Sequence, residues 1–464
     1  MIMVFNSIFF IFCFLPLFLR VYYMVPARFQ NPVLFAGSLI FYAWGNPVYI
    51  PLLLFSSFFN YYMGLEMERL SASPKSRKRN LVFTVVVNLL ILGFFKYSGF
   101  LLDLAGSLFG FTISHPQLSL PIGISFFTFK NLSYIFDIYR EKVDAQHNFL
   151  TFSVYSTMFP HMSAGPIVRY ADIREQLDSR SISIPKLGVG AEYFIKGLAK
   201  KVLLADNLSV IYSAIASSGS HSVASAWLGI FAYTMEIYFD FSGYSDMAIG
   251  LGKMLGFNFL KNFDYPYIST SVTEFWRRWH ISLGSWFRDY VYIPLGGNRV
   301  STGKHIRNIL IVWALTGLWH GASWNFIIWG LYYGLLLLLE KFVLKDRLSK
   351  IPAPLANLYT MVAVIIGWVF FSQTDFMSMG SYFLRMFGIG ASAFLDRTAL
   401  YYLKNGLILF VISVIASHPG LNQTFKRLAK RHAKAAVFIN MGLLFLSIAY
   451  MVYNSYTPFL YMKF

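Results

Sequence analysis

The sequence contains very little cysteine and little charge. Its single cysteine, Cys13, lies in the apolar stretch FFIFCFLPLF. One cysteine excludes an intrachain disulfide and a cysteine-based zinc cluster, and we interpret Cys13 as a small apolar residue of a helix. Only 13% of the 464 residues are charged, whereas soluble domains have roughly 25%. Together with 56% hydrophobic residues and a mean hydropathy of +0.54, this predicts a polytopic, all-α membrane protein.

Acidic residues are especially scarce. The chain has 21 Asp and Glu against 39 Lys and Arg, a formal net charge of +18. In a soluble protein this excess would favour a nucleic-acid partner. In a membrane protein it indicates basic cytoplasmic loops that face anionic lipid. We therefore expect a lipid membrane and no nucleic acid as partner, and we place the acid-free connectors at 73–80 and 425–434 on the cytoplasmic side.

Several motifs of known chemistry are missing from the sequence. It has no G-x-x-x-x-G-K-[ST] loop, which argues against a P-loop transporter ATPase. It has no H-E-x-x-H and no G-x-S-x-G, which argues against a zincin and against the nucleophile elbow of α/β-hydrolases. We predict neither a metal site nor a bound cofactor.

Long apolar runs are abundant. Runs near 20 residues indicate membrane-spanning helices, and the chain has about eleven such segments, some of them re-entrant or broken. The first run has no positively charged start and no cleavage signal, so we interpret it as a spanning segment and not as a signal peptide. We predict one membrane domain, residues 1–464, without an appended soluble domain. Residues 33–62 form either one segment or two short ones, and 308–339 is too long for one upright helix. The segments lie at roughly 3–23, 33–62, 81–104, 118–138, 150–168, 188–216, 224–256, 308–339, 355–372, 400–418 and 436–456.

One histidine, His320, lies near the middle of the apolar stretch ALTGLWHGASWNFIIWG, residues 314–330. An ionisable group at the depth of the bilayer centre faces a protein interior or a wet cavity, and it is a functional hypothesis by default. The neighbouring Trp319 would supply an aromatic wall, and Gly321 would allow a close backbone approach. The alternative is a neutral histidine that hydrogen-bonds across helices. The residues alone leave these two readings open.

A second histidine, His280, lies in the charged and aromatic segment 269–307, where an amphipathic or re-entrant helix is expected. Helical spacing would put Trp276, His280, Leu283 and Phe287 on one face. At least one arginine of this segment is expected to pair with Glu274. The segment is either a basic, aromatic interface helix or a lining that gathers an anionic ligand through its guanidinium groups, which match phosphate and carboxylate.

Three acids interrupt the apolar segment EIYFDFSGYSDMAIG, residues 236–250: Glu236, Asp240 and Asp246. Glu236 and Asp240 share a helix face because they are four residues apart. Buried carboxylates need partners, and the arginines or histidines of 273–290 are the expected ones. These acids either form structural ion pairs or orient a catalytic histidine.

These stretches together resemble the membrane-bound O-acyltransferase (MBOAT) family, and within it the AlgI-like branch of bacterial alginate O-acetyltransferases. The resemblance covers most of residues 1–375, and the motif-rich core is about 119–330. It implies a ring of helices around a central tunnel with two histidines near the narrow point. The motifs are FYAWGNP (41–47), SLPIGISFFTFKNLSYIFDIYR (119–140), FPHMSAGPIVR (159–169), YFDFSGYSDMAIGLGKMLGF (238–257), PYISTSVTEFWRRWHISLGSWFRDYVYIPLGGNR (266–299) and TGLWHGASWNFIIWG (316–330).

The resemblance also implies roles for individual residues. The histidine of LWHG, His320, is expected to be the catalytic residue, and the histidine of WRRWHISL, His280, an auxiliary that orients or binds substrate. Whether His320 acts as a general base or relays the acyl group stays open. The expected donor-binding and tunnel-lining residues are Arg277, Arg278, Arg288, Trp276, Trp279, Trp319, Asp240, Asp246 and Asn325.

The function that the resemblance implies is transfer of an acyl group, acetyl in the first place, from a cytoplasmic thioester such as acetyl-CoA or an acyl carrier. The acceptor would be a hydroxyl of an exported polysaccharide, reached directly or through an extracytoplasmic SGNH-type partner resembling AlgJ or AlgX. The expected location is the bacterial cytoplasmic membrane. Two alternatives stay open: D-alanyl transfer to teichoic acid, as in the related DltB branch, and a non-enzymatic polysaccharide transporter or scaffold.

Overall fold

Helices are the regular secondary structure of the part of the chain that the structure describes. The computed structural model describes residues 3–110, 119–219, 221–344, 347–373, 375–453 and 459, and this part contains no β-strand, which confirms the all-α prediction. The α-helices, numbered in chain order, are α1 Leu15–Met24, α2 Ala27–Gly45, α3 Ile50–Arg69, α4 Pro74–Phe109, α5 Ile124–Tyr139, α6 Phe149–Thr157, α7 Tyr170–Asp178, α8 Ile184–Ala199, α9 Asp206–Ser217, α10 Val223–Met254, α11 Val272–Arg278, α12 Ile281–Phe287, α13 Thr302–His320, α14 Trp324–Leu338, α15 Arg347–Lys350, α16 Ala353–Ser372, α17 Phe376–Met386, α18 Arg397–Ala416, α19 Pro419–Arg431 and α20 Ala433–Tyr453.

Six helical stretches within the described residues are long and apolar enough to cross a membrane. This number is below the roughly eleven segments predicted from apolar runs. The runs predicted at 118–138 and 150–168 contain helices of 16 and nine residues, too short to span alone. Residues 118 and 454–456 of the predicted segments lie outside the described residues. The six stretches are Pro47–Arg69, Pro74–Phe109, Trp324–Leu344, Ala353–Ser372, Arg397–Ala416 and Ala433–Tyr453, and a shorter apolar stretch is Phe10–Met24.

The outward side chains of these helices are themselves apolar. In α20, Phe438 is 76% exposed and Phe445 is 65% exposed. Large exposed apolar surface of this kind is stable against lipid and unfavourable against water. The chain is therefore a multi-pass membrane protein.

The chain divides into two compact units, and the first comprises residues 1–194 and 245–260. Its interior contains buried polar side chains that hydrogen-bond between helices, as is common in membrane bundles. Asn60 of α3 and Asn88 of α4 exchange two amide hydrogen bonds of 3.0 and 2.9 Å. The Lys130 ammonium nitrogen lies 2.7 Å from the carbonyl oxygen of Ser156 and 3.1 Å from Nδ1 of His161. The prediction of a single domain over residues 1–464 stays a prediction.

The second unit comprises residues 195–244 and 261–464, and its core is aromatic. The apolar run at 308–339 does not form one helix, because α13 ends at His320, Gly321 is extended with a φ of −168°, and α14 begins at Trp324. The two helices form a close hairpin. A Cβ atom at Gly317 would collide with the carbonyl oxygen of Phe326, so glycine is required where the two backbones approach.

Candidate active site

His320 lies at the end of a helix and is enclosed by aromatic rings. It is the last residue of α13 and is only 6% exposed. Its ring centroid is 5.0 Å from that of Trp319, 4.9 Å from that of Trp329 and 5.2 Å from that of Phe371. His320 lies near the middle of an apolar stretch of the sequence, but the helix ends there because the chain turns at Gly321, where a Cβ would collide with the ring of Phe326. The predicted close approach at Gly321 is confirmed.

His280 lies at a break between two short helices. It follows α11 and precedes α12, each seven residues long, and its φ is +44°. A left-handed conformation is unfavourable for a non-glycine residue, so the surrounding contacts must stabilise it. The prediction that His280 shares one continuous helix face with Phe287 was therefore wrong. The ring of His280 lies 4.7 Å from that of Phe241 and 5.8 Å from that of Trp319.

Asn262 explains why the chain breaks at His280. The Asn262 carbonyl accepts a 2.9 Å hydrogen bond from the backbone N–H of Ile281. Its side-chain Oδ1 accepts hydrogen bonds from the N–H and the hydroxyl of Ser282, at 3.2 and 2.8 Å. The same oxygen is 3.2 Å from Nδ1 of His280. Burial lowers the pKa of His280 to about 3, so the imidazole is neutral at physiological pH.

The two histidines meet at one tryptophan. The ring of Trp319 is 5.8 Å from that of His280 and 5.0 Å from that of His320, and it is 4% exposed. We call His280, Trp319 and His320 the histidine site. Both imidazoles are buried and both contact this indole, so the two histidines lie in one water-poor environment.

The other predicted tryptophans lie in the aromatic core of the second unit. The ring of Trp276 is 5.4 Å from that of Trp329, which in turn contacts His320. The ring of Trp279 is 4.9 Å from that of Trp368 and is 3% exposed. Trp276 is thus one ring removed from His320. Trp279 packs the core against Trp368.

The three predicted arginines have different surroundings. Arg278 pairs with Glu274 at 2.8 Å, which confirms the expected pairing with that acid. Arg288 pairs with its neighbour Asp289 at 2.7 Å and its side chain is 63% exposed. Arg277 is exposed and lines a cavity of about 530 Å³. The lining consists of Thr270, Ser271, Thr273, Arg277, Ile309, Leu337, Glu340, Lys341, Leu348 and Ser349.

The predicted acids are also separated. Asp240 is 2% exposed and its carboxylate lies 2.6 Å from Nζ of Lys201, which is also 2.8 Å from Asp206. The sequence interpretation expected a partner from 273–290 and missed this lysine. Asp246 belongs to the first unit, where it is half-buried. Asn325 is buried and donates a 3.2 Å hydrogen bond to the carbonyl of Phe370, next to the Phe371 that contacts His320.

Several residues of the site were not singled out from the sequence. Trp329 lies within the motif TGLWHGASWNFIIWG, nine positions after His320, and that proximity was the available signal. Lys201 interrupts a predicted apolar segment, and a charged residue within such a segment indicates a role. Asn262, Glu340 and Phe371 have no local signal, because their partners are distant in sequence. No group of three or more His, Cys, Asp or Glu side chains in the described part of the chain is arranged to hold a metal.

Several known proteins are similar to this chain over most of its length. The chain matches the model of the membrane-bound O-acyltransferase family, MBOAT, over residues 39–387. The protein named "Probable alginate O-acetylase AlgI" of Azotobacter vinelandii is 42% identical over 431 residues, 91% of this chain and 86% of the relative. The peptidoglycan O-acetyltransferase of Helicobacter pylori is 34% identical over 443 residues, 85% of this chain and 84% of the relative. The teichoic acid D-alanyltransferase of Bacillus subtilis is 30% identical over 287 residues, 56% of this chain and 70% of the relative.

The family match spans more than half of the chain, and it contains both histidines of the site. Catalysis of acyl transfer fits a buried, neutral imidazole, because such a group accepts a hydroxyl proton without first losing one of its own. The protein is a multi-pass membrane O-acyltransferase and belongs to the membrane-bound O-acyltransferase family.

Proposed function

We propose that this protein transfers an acetyl group from a cytoplasmic thioester, acetyl-CoA or an acyl carrier, to hydroxyls of an exported cell-surface polysaccharide. The site of action in this proposal is the bacterial cytoplasmic membrane. The observation that supports it most directly is the pair of buried histidines that both contact Trp319, in a chain that is 42% identical to the protein named "Probable alginate O-acetylase AlgI".

His320 acts as the general base in this proposal. It takes the proton of the acceptor hydroxyl while the hydroxyl oxygen forms a bond to the thioester carbonyl carbon. The resulting tetrahedral oxyanion collapses, the carbon–sulfur bond breaks, and the imidazolium returns the proton to the departing thiolate. Protons therefore balance over one turnover. The three aromatic rings around His320 keep water away, which protects the thioester from hydrolysis.

The oxyanion needs a hydrogen-bond donor, and Trp329 is suited to this task. Its ring contacts that of His320 at 4.9 Å and it is fully buried. Its indole N–H has no hydrogen-bond acceptor among the described residues. A buried donor without a ground-state acceptor is costly, and it stabilises a charge that develops beside it.

Arg277 is the arginine to which we assign binding of the thioester donor. Arg278 and Arg288 are bound to neighbouring carboxylates, whereas Arg277 lines the 530 Å³ cavity together with Lys341. The carboxylate of Glu340 also lines the cavity, but it is engaged by Val272 and Thr273. The two cations and several hydroxyl groups match the phosphates of a pantetheine thioester. Arg277 is the chain neighbour of Trp276, which contacts Trp329, whose ring packs on His320.

The acceptor class comes from the relatives. Alginate and peptidoglycan are the acceptors in the names of the two O-acetylating relatives, and both are glycans outside the cytoplasm. In our proposal the acetyl group reaches such a glycan directly or through an extracytoplasmic SGNH-type partner. D-alanyl transfer is the second candidate, because the teichoic acid D-alanyltransferase is 30% identical over 56% of this chain. The O-acetylase match is both closer and longer.

The test follows an acyl label through the purified protein in lipid nanodiscs. Radiolabelled acetyl-CoA is supplied together with an O-acetylatable glycan or a secreted SGNH partner, and label is followed on each component. Wild type should transfer acetyl, and His320→Ala and His320→Gln should both reduce the rate by about 10²–10⁴-fold, the usual contribution of a general base. His432→Ala is the matched control, because that histidine is exposed and outside the site.

The outcomes separate the alternatives. Transfer of label from a D-alanyl carrier but not from acetyl-CoA would show that the transferred group is D-alanyl and not acetyl. Movement of glycan without acyl transfer, unaffected by His320→Gln, would show that the protein is a transporter and not an enzyme. Full transfer by His320→Ala at normal protein levels would refute the assignment of His320. Label trapped on His320 during turnover would indicate an acyl relay instead of base catalysis.

A further inference from the structure

Asn262 and the residues around His280 form a braced loop with an unusual backbone. The segment 262–264 runs alongside 278–282, with hydrogen bonds from the Ile281 N–H to the Asn262 carbonyl and from the Asp264 N–H to the Arg278 carbonyl, both 2.9 Å. His280 lies between these bonds with a φ of +44°. A strained conformation at a buried polar residue persists only where its neighbours determine it, and such strain is typical of functional sites.

The orientation of the Asn262 amide follows from its contacts. The backbone N–H of Ser282 points at the side chain of Asn262 from 3.2 Å, and a backbone N–H can only donate. The atom that faces it must therefore be the amide oxygen and not the amide nitrogen. The Ser282 hydroxyl, 2.8 Å away, donates to the same oxygen.

The amide orientation decides which nitrogen of His280 bears the proton. Nδ1 of His280 lies 3.2 Å from the same Asn262 oxygen. Two lone pairs would repel each other at this distance, so Nδ1 must be the protonated nitrogen. In the neutral ring, Nε2 then has a lone pair and accepts hydrogen bonds. Without such a contact the two neutral tautomers of imidazole are both accessible.

We propose that Asn262 is a positioning residue that fixes His280 as the Nδ1–H tautomer, so that Nε2 serves as a hydrogen-bond acceptor for an O–H or N–H group of the substrate. The proposal rests on the proposed acyl transfer and deepens it. In this form His280 is neutral and binds a hydrogen-bond donor of the substrate, whereas binding of an anion would require the imidazolium. Four side chains that contact His280 are uncharged: Asn262, Ser282, Phe241 and Trp319.

The first test is spectroscopic and does not depend on activity. Wild-type protein labelled with ¹⁵N-histidine in lipid bilayers is compared with His280→Gln, and the difference identifies the His280 nitrogens. We expect a protonated Nδ1 and an unprotonated Nε2 in wild type. In Asn262→Ala the signal should change to a mixture or to the opposite tautomer. Wild-type His280 with its proton on Nε2 would overturn the proposal even if acetyl transfer is observed.

The second test uses Asn262→Asp and acetyl transfer. Aspartate preserves the acceptor for Nδ1–H but adds a negative charge, which raises the pKa of His280 and favours imidazolium. We expect the Nδ1–H tautomer to persist and the acidic limb of the kcat profile to move to higher pH, since His280 must be neutral to accept. Asn262→Ala should instead lose about 10–100-fold in transfer rate, the usual effect of removing a histidine's orienting partner.

Asn357→Ala controls for a purely structural role. Asn357 also hydrogen-bonds a loop of the same unit, through 2.9 and 2.8 Å bonds to the carbonyls of Tyr267 and Ser269. It should lower stability without altering the His280 tautomer or the pH profile. An unshifted profile in Asn262→Asp, or equal tautomer changes in Asn262→Ala and Asn357→Ala, would refute the positioning role. A correct tautomer in a protein without acyl transfer would refute only the proposed function.

Discussion

Glu340 stabilises the start of α11, the helix that precedes His280, and its replacement by glutamine should be unusually costly. Its carboxylate accepts hydrogen bonds from the Val272 N–H at 2.6 Å, the Thr273 N–H at 2.8 Å and the Thr273 hydroxyl at 2.6 Å. The two backbone donors use different oxygens. Glutamine would keep only one oxygen and would turn an NH₂ group toward the donor at the other, so two donors would face each other.

The expected cost follows from these contacts. A hydrogen bond to a charged group contributes about 1.5–3 kcal/mol net, and a buried donor left unsatisfied costs about 1–3 kcal/mol. Glu340 is 6% exposed and Val272 is fully buried, so water does not replace the acceptor that the Val272 N–H loses. Glu340→Gln loses at least one such bond, which gives about 2–4 kcal/mol. Glu340→Ala loses all three, and since neighbouring bonds are not additive, we expect about 3–6 kcal/mol.

The measurement is the free energy of unfolding in mixed micelles, followed by circular dichroism as the fraction of denaturing detergent rises. Glu274→Gln is the matched control, because Glu274 lies on the same helix but is 31% exposed and pairs at the surface with Arg278. Its other oxygen accepts hydrogen bonds from the N–H and the hydroxyl of Thr270, at 2.9 and 3.0 Å, and the single oxygen of glutamine can keep both. The loss of stability should therefore be that of the surface pair, about 1 kcal/mol or less. A Glu340→Gln variant no less stable than Glu274→Gln would show that the carboxylate does not anchor α11.

Two further predictions concern charge. Lys201→Met should lower the free energy of unfolding by about 3–5 kcal/mol, because it leaves Asp240 and Asp206 buried without their lysine. Asp240→Asn should lower it clearly less, because Lys201 stays 2.8 Å from Asp206. Equal losses in denaturation experiments would contradict this prediction. Arg277→Gln should raise the KM for the thioester donor about tenfold with little change in kcat, because it removes one charge-assisted hydrogen bond. Arg299→Gln is the control, and since Arg299 is exposed, this variant should leave the KM unchanged. An effect of Arg277→Gln on kcat alone would argue against donor binding at Arg277.

The sequence was sufficient to predict the membrane class, the all-α fold and the family, because these depend on composition and on contiguous motifs. The same motifs include both histidines and Trp319, which the structure brings together. The break at His280 was not predictable, since its cause, Asn262, lies 18 positions earlier and outside any helical period. The length of the run 308–339 indicated that it would not form one upright helix. The position of its turn, Gly321, was not predictable, because both arms of the hairpin are apolar.

The buried ion pairs of Lys201 were missed in the sequence for a different reason. Lys201 and Asp206 are five positions apart, and in an α-helix residues at that spacing do not face each other. The stretch Lys200–Ala205 is π-helical, and a π turn places residues i and i+5 on one side. Helical spacing in the sequence therefore could not pair Lys201 with Asp206, and through it with Asp240 of α10.

The scarcity of charge in this chain and the chemistry of the site are connected. A thioester that must react with a hydroxyl has to be kept from water, and this requires apolar surroundings such as the rings of Trp319, Trp329 and Phe371 about His320. Apolar surroundings also favour the neutral imidazole, the form that accepts a proton. The same surroundings make an unpaired buried charge expensive, so the buried Lys201 is bound to Asp240 and Asp206. Arg277 is instead exposed beside an open cavity, and this is why we assign that arginine, and not Arg278 or Arg288, to an anionic ligand.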